Sequence, residues 1–123
     1  MRRFHWITFR YAFEGIVHVL KTQPNAQVHA AITLAVVIVG VWLGLNRVEW
    51  AILVVMTAVV WVAEFVNTAV EATVDLVTGE HHPLAKIAKD AAAGGVLVAA
   101  ILAVIVGALI LGPPLWVRLF SGA

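Results

Sequence analysis

The chain has 123 residues, enough for one domain, and no cysteine, which excludes disulfides and thiolate metal sites. It is 63% hydrophobic and 12% charged, against about 25% charged in ordinary soluble domains. That balance excludes an ordinary water-soluble enzyme and makes residues 1–123 a single integral-membrane domain, all-α by its periodicity. The net charge of +1 says little in total, and its distribution along the chain says more.

Residues 1–21 read as an amphipathic helix. Arg3, Arg10, Glu14, His18 and Lys21 share one side, and Phe4, Ile7, Tyr11, Phe13, Ile16, Val17 and Leu20 fill much of the rest. A basic, aromatic-rich helix of this kind suits the membrane interface, with packing on a soluble partner as the competing reading. Thr8, Arg10, Glu14 and His18 interrupt its apolar character, so it does not read as a signal peptide. Thr22-Gln23-Pro24-Asn25 breaks the helix. Pro24 fits the first turn of the next one and restricts Gln23 to extended geometry. Asn25, Gln27 and His29 mark the polar entrance to a first span, residues 28–45, with Trp42 as an interfacial anchor at its far end. His29 reads as an interfacial residue rather than a ligand.

Asn46-Arg47-Val48-Glu49 forms a tight polar turn, and Trp50 anchors a second span over residues 49–76. This span ends in Glu64-Phe-Val-Asn67-Thr-Ala-Val-Glu71-Ala-Thr-Val-Asp75, whose spacing puts Glu64, Asn67, Glu71 and Asp75 on one helical face. Counted from Trp50, Glu64 comes about 21 Å into the span, toward the far headgroup level, and Glu71 lies about 10 Å further on, close to water. Ionisable groups in a membrane segment are costly and point to function; a polar seam between helices is the blander reading. Residues 77–90 make the longest polar connection, punctuated by Gly79 and Pro83, and a helix from Leu84 leads into a third span at residues 91–111. Gly95, Ala99, Ala103 and Gly107 form a small-residue ridge suited to close helix packing. Gly112-Pro113-Pro114 is expected to end that helix before an interfacial tail with Trp116, Arg118 and Phe120.

Arg2, Arg3, Arg10, Lys21, Lys86 and Lys89 fall on one side of a three-span chain, and Arg47 and Arg118 on the other. The positive-inside rule then puts the N-terminus and the second connection in the cytoplasm and the C-terminus outside. The acidic face of the second span opens on the cytoplasmic side. Glu64 suits a general base taking a proton from a lipid hydroxyl. Glu71 suits a Mg²⁺ ligand, because that ion takes oxygen donors and shares them with phosphates. Asn67 can orient either carboxylate. Lys89 can pair with polyphosphate, and Asp90 can bond a nucleotide or orient Lys89, although a lysine–aspartate pair here is also a common capping or snorkelling arrangement. Phosphoryl transfer needs such a set: metal, cation, base and positioning group. No phosphate-loop or soluble-kinase signature occurs.

The run Glu64-x-x-Asn67-Thr68-Ala69-Val70-Glu71-x-x-Val74-Asp75, followed by His82-x-Leu84-Ala85-Lys86-x-Ala88-Lys89-Asp90-x-Ala92-Ala93-Gly94, resembles the prokaryotic diacylglycerol kinase family. The Leu84 to Gly94 version is more similar to the undecaprenol kinase branch. The resemblance covers nearly the whole chain. It implies a homotrimeric lipid kinase of the plasma membrane, using MgATP to phosphorylate undecaprenol or diacylglycerol, with no nucleic-acid partner. By position it makes Glu64 the proton acceptor and Asn67 a supporting active-site residue. Glu71 becomes the metal ligand and a nucleotide contact, and Tyr11, Glu80, His81, His82, Lys89 and Asp90 further nucleotide contacts. The family often carries a second metal-binding Glu before the first span; Gln23 stands at that position, a weaker and uncharged ligand.

Two other functions compete. A small proton-coupled transporter would keep one dominant acid near the midplane and would have no use for Lys89-Asp90, whereas the acids here lie toward one face. A non-catalytic assembly subunit would use the Gly95 to Gly107 ridge to hold partners and would show no kinase activity.

Overall fold

The structure is a computed structural model that describes residues 4–122, with side chains from Thr8 onward. Met1, Arg2, Arg3 and Ala123, and the side chains of Phe4 and Ile7, lie outside the described residues. Four helices follow one another: α1 (Phe4–Thr22), α2 (Pro24–Leu43), α3 (Arg47–Val77) and α4 (Pro83–Phe120). The last three are long and apolar enough to cross a membrane. α3 and α4 form the main helix pair, α2 packs against both, and α1 touches α2 and α3.

The helix ends follow from local chemistry. Gln23 is extended (φ −104°, ψ 111°), as a residue before proline should be, and Pro24 opens α2. α2 stops at Leu43, two residues short of the expected end, because Gly44 takes the left-handed conformation at φ 70° and its N–H turns back to the Gly40 and Val41 carbonyls. Asn46 and Glu49 then make a reciprocal capping box: Asn46 Oδ1 accepts from the Glu49 N–H at 2.9 Å and Glu49 Oε1 from the Asn46 N–H at 3.2 Å. The expected polar turn is thus already the first turn of α3. Gly40 is needed where it stands, because a Cβ there would lie 2.6 Å from the Trp50 ring.

α4 differs most from expectation. It does not end at Gly112-Pro113-Pro114 but runs on to Phe120. Proline fixes φ near the helical value, and the helix absorbs both the two missing backbone donors and the crowding of the proline rings against the preceding turn. The far end is also tied down. Arg118 Nη2 donates at 3.0 Å to the Trp42 carbonyl, one of the acceptors left open at the end of α2, and its guanidinium lies 5.2 Å from the Trp42 ring centroid.

At about 1.5 Å per residue, the 31 residues of α3 reach about 46 Å and the 38 of α4 about 57 Å, well beyond a ~30 Å hydrocarbon core. Both helices therefore project where they meet at the Thr78–His82 connection. The buried apolar set is small: Val19, Ala26, Leu53, Val60 and Ala99. The buried polar set is Glu64 and Asn67, both on α3. Of the small-residue ridge only Ala99 is buried, and a Cβ at Gly95 or Gly107 would meet open space.

Candidate active site

The site is built along the last four turns of α3. Glu64 is 1% exposed and Asn67 6%. Glu71, one turn further, is half-buried, and Asp75 is exposed. The helix thus grades from dry to wet over about 16 Å. Asn67 Nδ2 donates to Glu71 Oε1 at 3.5 Å, which links the buried and the half-buried polar groups. Among the described residues two buried side-chain atoms have no hydrogen-bond partner: Glu64 Oε2 and Asn67 Oδ1. His29 on α2 approaches Glu64, with Nε2 at 3.7 Å from Oε2, a few tenths of an ångström beyond a hydrogen bond.

A second cluster lies where α3 meets α4. Lys89 Nζ pairs with Asp75 Oδ1 at 2.6 Å, and Lys86 pairs with Asp90 one turn along α4. This corrects the expected link between Lys89 and Asp90. Consecutive residues on a helix point about 100° apart, so each finds its partner elsewhere: Lys89 across the helix pair, Asp90 four residues back. These pairs are largely exposed, and each is worth at most about 1 kcal/mol. Asp75, Glu80, His81, His82, Lys86, Lys89 and Asp90 together line an open groove of about 320 Å³. His82 also has a structural task there, since its Nδ1 caps α4 by accepting the Leu84 N–H at 3.1 Å. Thr78 Oγ1 accepts the Glu80 N–H at 3.2 Å and shapes the turn. The start of α4 borders this groove, and its positive dipole end favours an anion there, although Pro83 carries no N–H and the Leu84 N–H is already taken by His82.

Gln23 and Tyr11 stand apart from these clusters. Gln23 Nε2 donates to its neighbour Thr22 Oγ1 at 3.3 Å, so its amide is engaged at the α1–α2 junction. Tyr11 is 64% exposed on α1. Among the described residues no three His, Asp or Glu side chains gather as a metal cage. Glu71 and Asn67 lie one turn apart, joined through the Asn67 amide N–H, and the oxygens they offer, the Glu71 carboxylate and the unpartnered Asn67 Oδ1, are hard donors. They fit Mg²⁺, which usually keeps waters and shares phosphate oxygens rather than occupying an all-protein cage.

The sequence reading missed three members of these clusters. Asp75 was seen on the acidic face without its Lys89 partner, Lys86 without Asp90, and His29 without Glu64. An i,i+4 search would have found the pair between Lys86 and Asp90; the other two depend on helix packing.

These features define a multi-pass helical membrane protein with a buried carboxylate on one long helix and a groove of mixed charge, lined by acids and lysines, at that helix's end. The family described as prokaryotic diacylglycerol kinase matches residues 10–111. The undecaprenol kinase of Bacillus subtilis (strain 168) is 46% identical over 108 residues, 88% of each chain. A diacylglycerol kinase of Synechocystis sp. is also 46% identical, over 110 residues that make up 89% of this chain and 63% of that protein. The diacylglycerol kinase of Escherichia coli (strain K12) is 29% identical over 101 residues, 82% of this chain and 83% of that one. The chain belongs to the prokaryotic diacylglycerol kinase family and is a lipid kinase.

Proposed function

We propose that this chain transfers the γ-phosphoryl group of ATP to the hydroxyl of a membrane lipid alcohol at the cytoplasmic face of the plasma membrane. Undecaprenol is the preferred acceptor and diacylglycerol the second. The preference rests on the match to the Bacillus subtilis undecaprenol kinase across 88% of both chains, whereas the equally identical Synechocystis diacylglycerol kinase is matched over only 63% of its own length. The observation that carries the reaction is Glu64, a buried carboxylate whose Oε2 has no hydrogen-bond partner. Burying such a group costs several kcal/mol, an arrangement expected where the group has chemical work to do.

In this reading the lipid hydroxyl comes to Glu64 from the apolar side. Its oxygen attacks the γ-phosphorus, its proton passes to the Glu64 carboxylate, the bond from the γ-phosphorus to the β,γ-bridging oxygen breaks, and ADP leaves. Asn67 keeps Glu71 in place through its amide. Glu71 and Asn67 Oδ1 would hold Mg²⁺, which supplies charge neutralisation on the phosphates when bound. The groove between Asp75 and Asp90 takes the rest of the nucleotide, with Lys89, Lys86 and the start of α4 supplying positive charge. Tyr11, Glu80, His81 and His82 border the nucleotide. Gln23 remains a helix-junction residue, its side chain turned to Thr22 and not to the metal.

The chain works as a homotrimer. Three spans bury little of themselves, and the Gly95 to Gly107 ridge is open for a neighbouring copy. The positive-inside distribution supports a cytoplasmic N-terminus. The test is a coupled assay for ADP release by the purified protein in lipid vesicles. ADP should appear only when undecaprenol or diacylglycerol is present with MgATP. Release at the same rate without any lipid alcohol would contradict the reading.

A further inference from the structure

His29 lies 35 positions before Glu64 and on another helix, yet it is the residue that faces the buried carboxylate. Its side chain is 16% exposed and that of Glu64 is 1%. The imidazole is braced from behind. Trp61, one turn before Glu64 on the same side of α3, sets its ring edge-on to His29, with centroids 6.3 Å apart and planes at 66°. The Trp61 Nε1–H donates to Thr33 Oγ1 at 3.2 Å, and Thr33 Oγ1 donates to the His29 carbonyl at 2.7 Å. Two helices are thereby locked in the register that puts His29 Nε2 at 3.7 Å from Glu64 Oε2.

We propose that His29 is the positioning residue for Glu64: its Nε2, 3.7 Å from the unpartnered Oε2, needs a shift of only a few tenths of an ångström for its N–H to hold that oxygen and leave the other one to the lipid hydroxyl. This rests on the reading of Glu64 as the proton acceptor. A glutamate has three side-chain torsions, and in a dry site no water holds the idle oxygen for it. A fixed donor on α2 removes that freedom before the substrate arrives, which is how a supporting group raises turnover without touching the substrate. His29 also lines a groove with Asn25, Asn67 and Ala93.

The test compares two substitutions in the purified full chain in lipid vesicles, with phosphorylated lipid as the readout. His29→Phe keeps the ring against Trp61 and removes the N–H. His29→Gln keeps an N–H donor and removes the ring. His29→Phe should lower kcat about tenfold, the scale of coupling between neighbouring groups, with KM for MgATP unchanged. His29→Gln should retain most of the parent kcat. In a Glu64→Gln background, His29→Phe should cost much less, because Glu64 is no longer there to position and only the residual basicity of His29 is lost. Should His29→Phe fail to fold, His29→Met, also without an N–H, takes its place. The inference is overturned if the ring-keeping variant turns over at the parent rate, if both variants fall equally, or if the loss multiplies with that of Glu64→Gln. A parent rate for Glu64→Gln alone would instead remove the reading of Glu64 as base, and this inference with it.

Discussion

Replacing Glu64 by glutamine probes the chemistry with little structural disturbance. Glutamine keeps the volume and one carbonyl oxygen of glutamate but cannot take a proton. A positioned proton acceptor contributes about 10²–10⁴-fold, or about 2.7–5.5 kcal/mol of barrier at 1.36 kcal/mol per tenfold. His29, with Nε2 3.7 Å from Glu64 Oε2, is a basic group that can take over part of this role, so the loss falls within that range rather than at its top. Glu64 is 1% exposed, so water does not reach the position to substitute as base. Asn67, the other buried polar side chain, has no basic atom. Glu71 is seven residues away, about 10 Å along the axis. The same separation predicts an unchanged KM for MgATP. Folding should not suffer, because a neutral amide replaces a carboxylate with an unpartnered oxygen, a change that lowers the cost of burial. The assay is the initial rate of label transfer from ATP to lipid in vesicles, with a thermal melt as the control for folding. Turnover at the parent rate would refute the reasoning and leave Glu64 a structural polar residue.

Four further outcomes follow from the same geometry. Glu71→Gln should raise the Mg²⁺ concentration needed for turnover or abolish it, seen in a Mg²⁺ titration at fixed ATP. Gln23→Glu should leave that requirement unchanged, since the Gln23 side chain is engaged with Thr22; a lowered requirement would bring this position to the metal. Cysteines introduced at Thr78 and Ser121, at opposite ends of α4, should react with a membrane-impermeant reagent from opposite sides; labelling from one side only would exclude three spans. Mixing inactive Glu64→Gln and Lys89→Ala chains should restore partial activity if neighbouring copies share a site, and full activity of the parent monomer in detergent would end that idea.

The helices were legible because their boundaries are local. Pro24 after Gln23, and Asn46 three residues before Glu49, announce their turns by chemistry that acts over a few residues. The acidic face of α3 was legible for the same reason, since Glu64, Asn67 and Glu71 belong to one helix and its periodicity orders them. Pro113-Pro114 misled because proline breaks a helix only when the missing hydrogen bonds outweigh what holds the far side. Here Arg118 fastens that side to the end of α2, a contact across 76 residues. The pairing of Lys89 with Asp75, and the approach of His29 to Glu64, join residues of different helices. No periodicity encodes them; they arise from how α3 packs on α4 and on α2. The ridge expected to pack helices closely is, within one chain, buried only at Ala99, and Gly95 and Gly107 face open space.

The most direct test of the central claim is competition between acceptors. Purified protein in vesicles holding equal mole fractions of undecaprenol and diacylglycerol is given MgATP labelled at the γ-phosphate, and the lipids are then separated. The label should appear chiefly in undecaprenyl phosphate, with phosphatidic acid as the minor product. Label confined to phosphatidic acid would contradict the choice of acceptor, and label released only as inorganic phosphate would contradict phosphoryl transfer to lipid altogether.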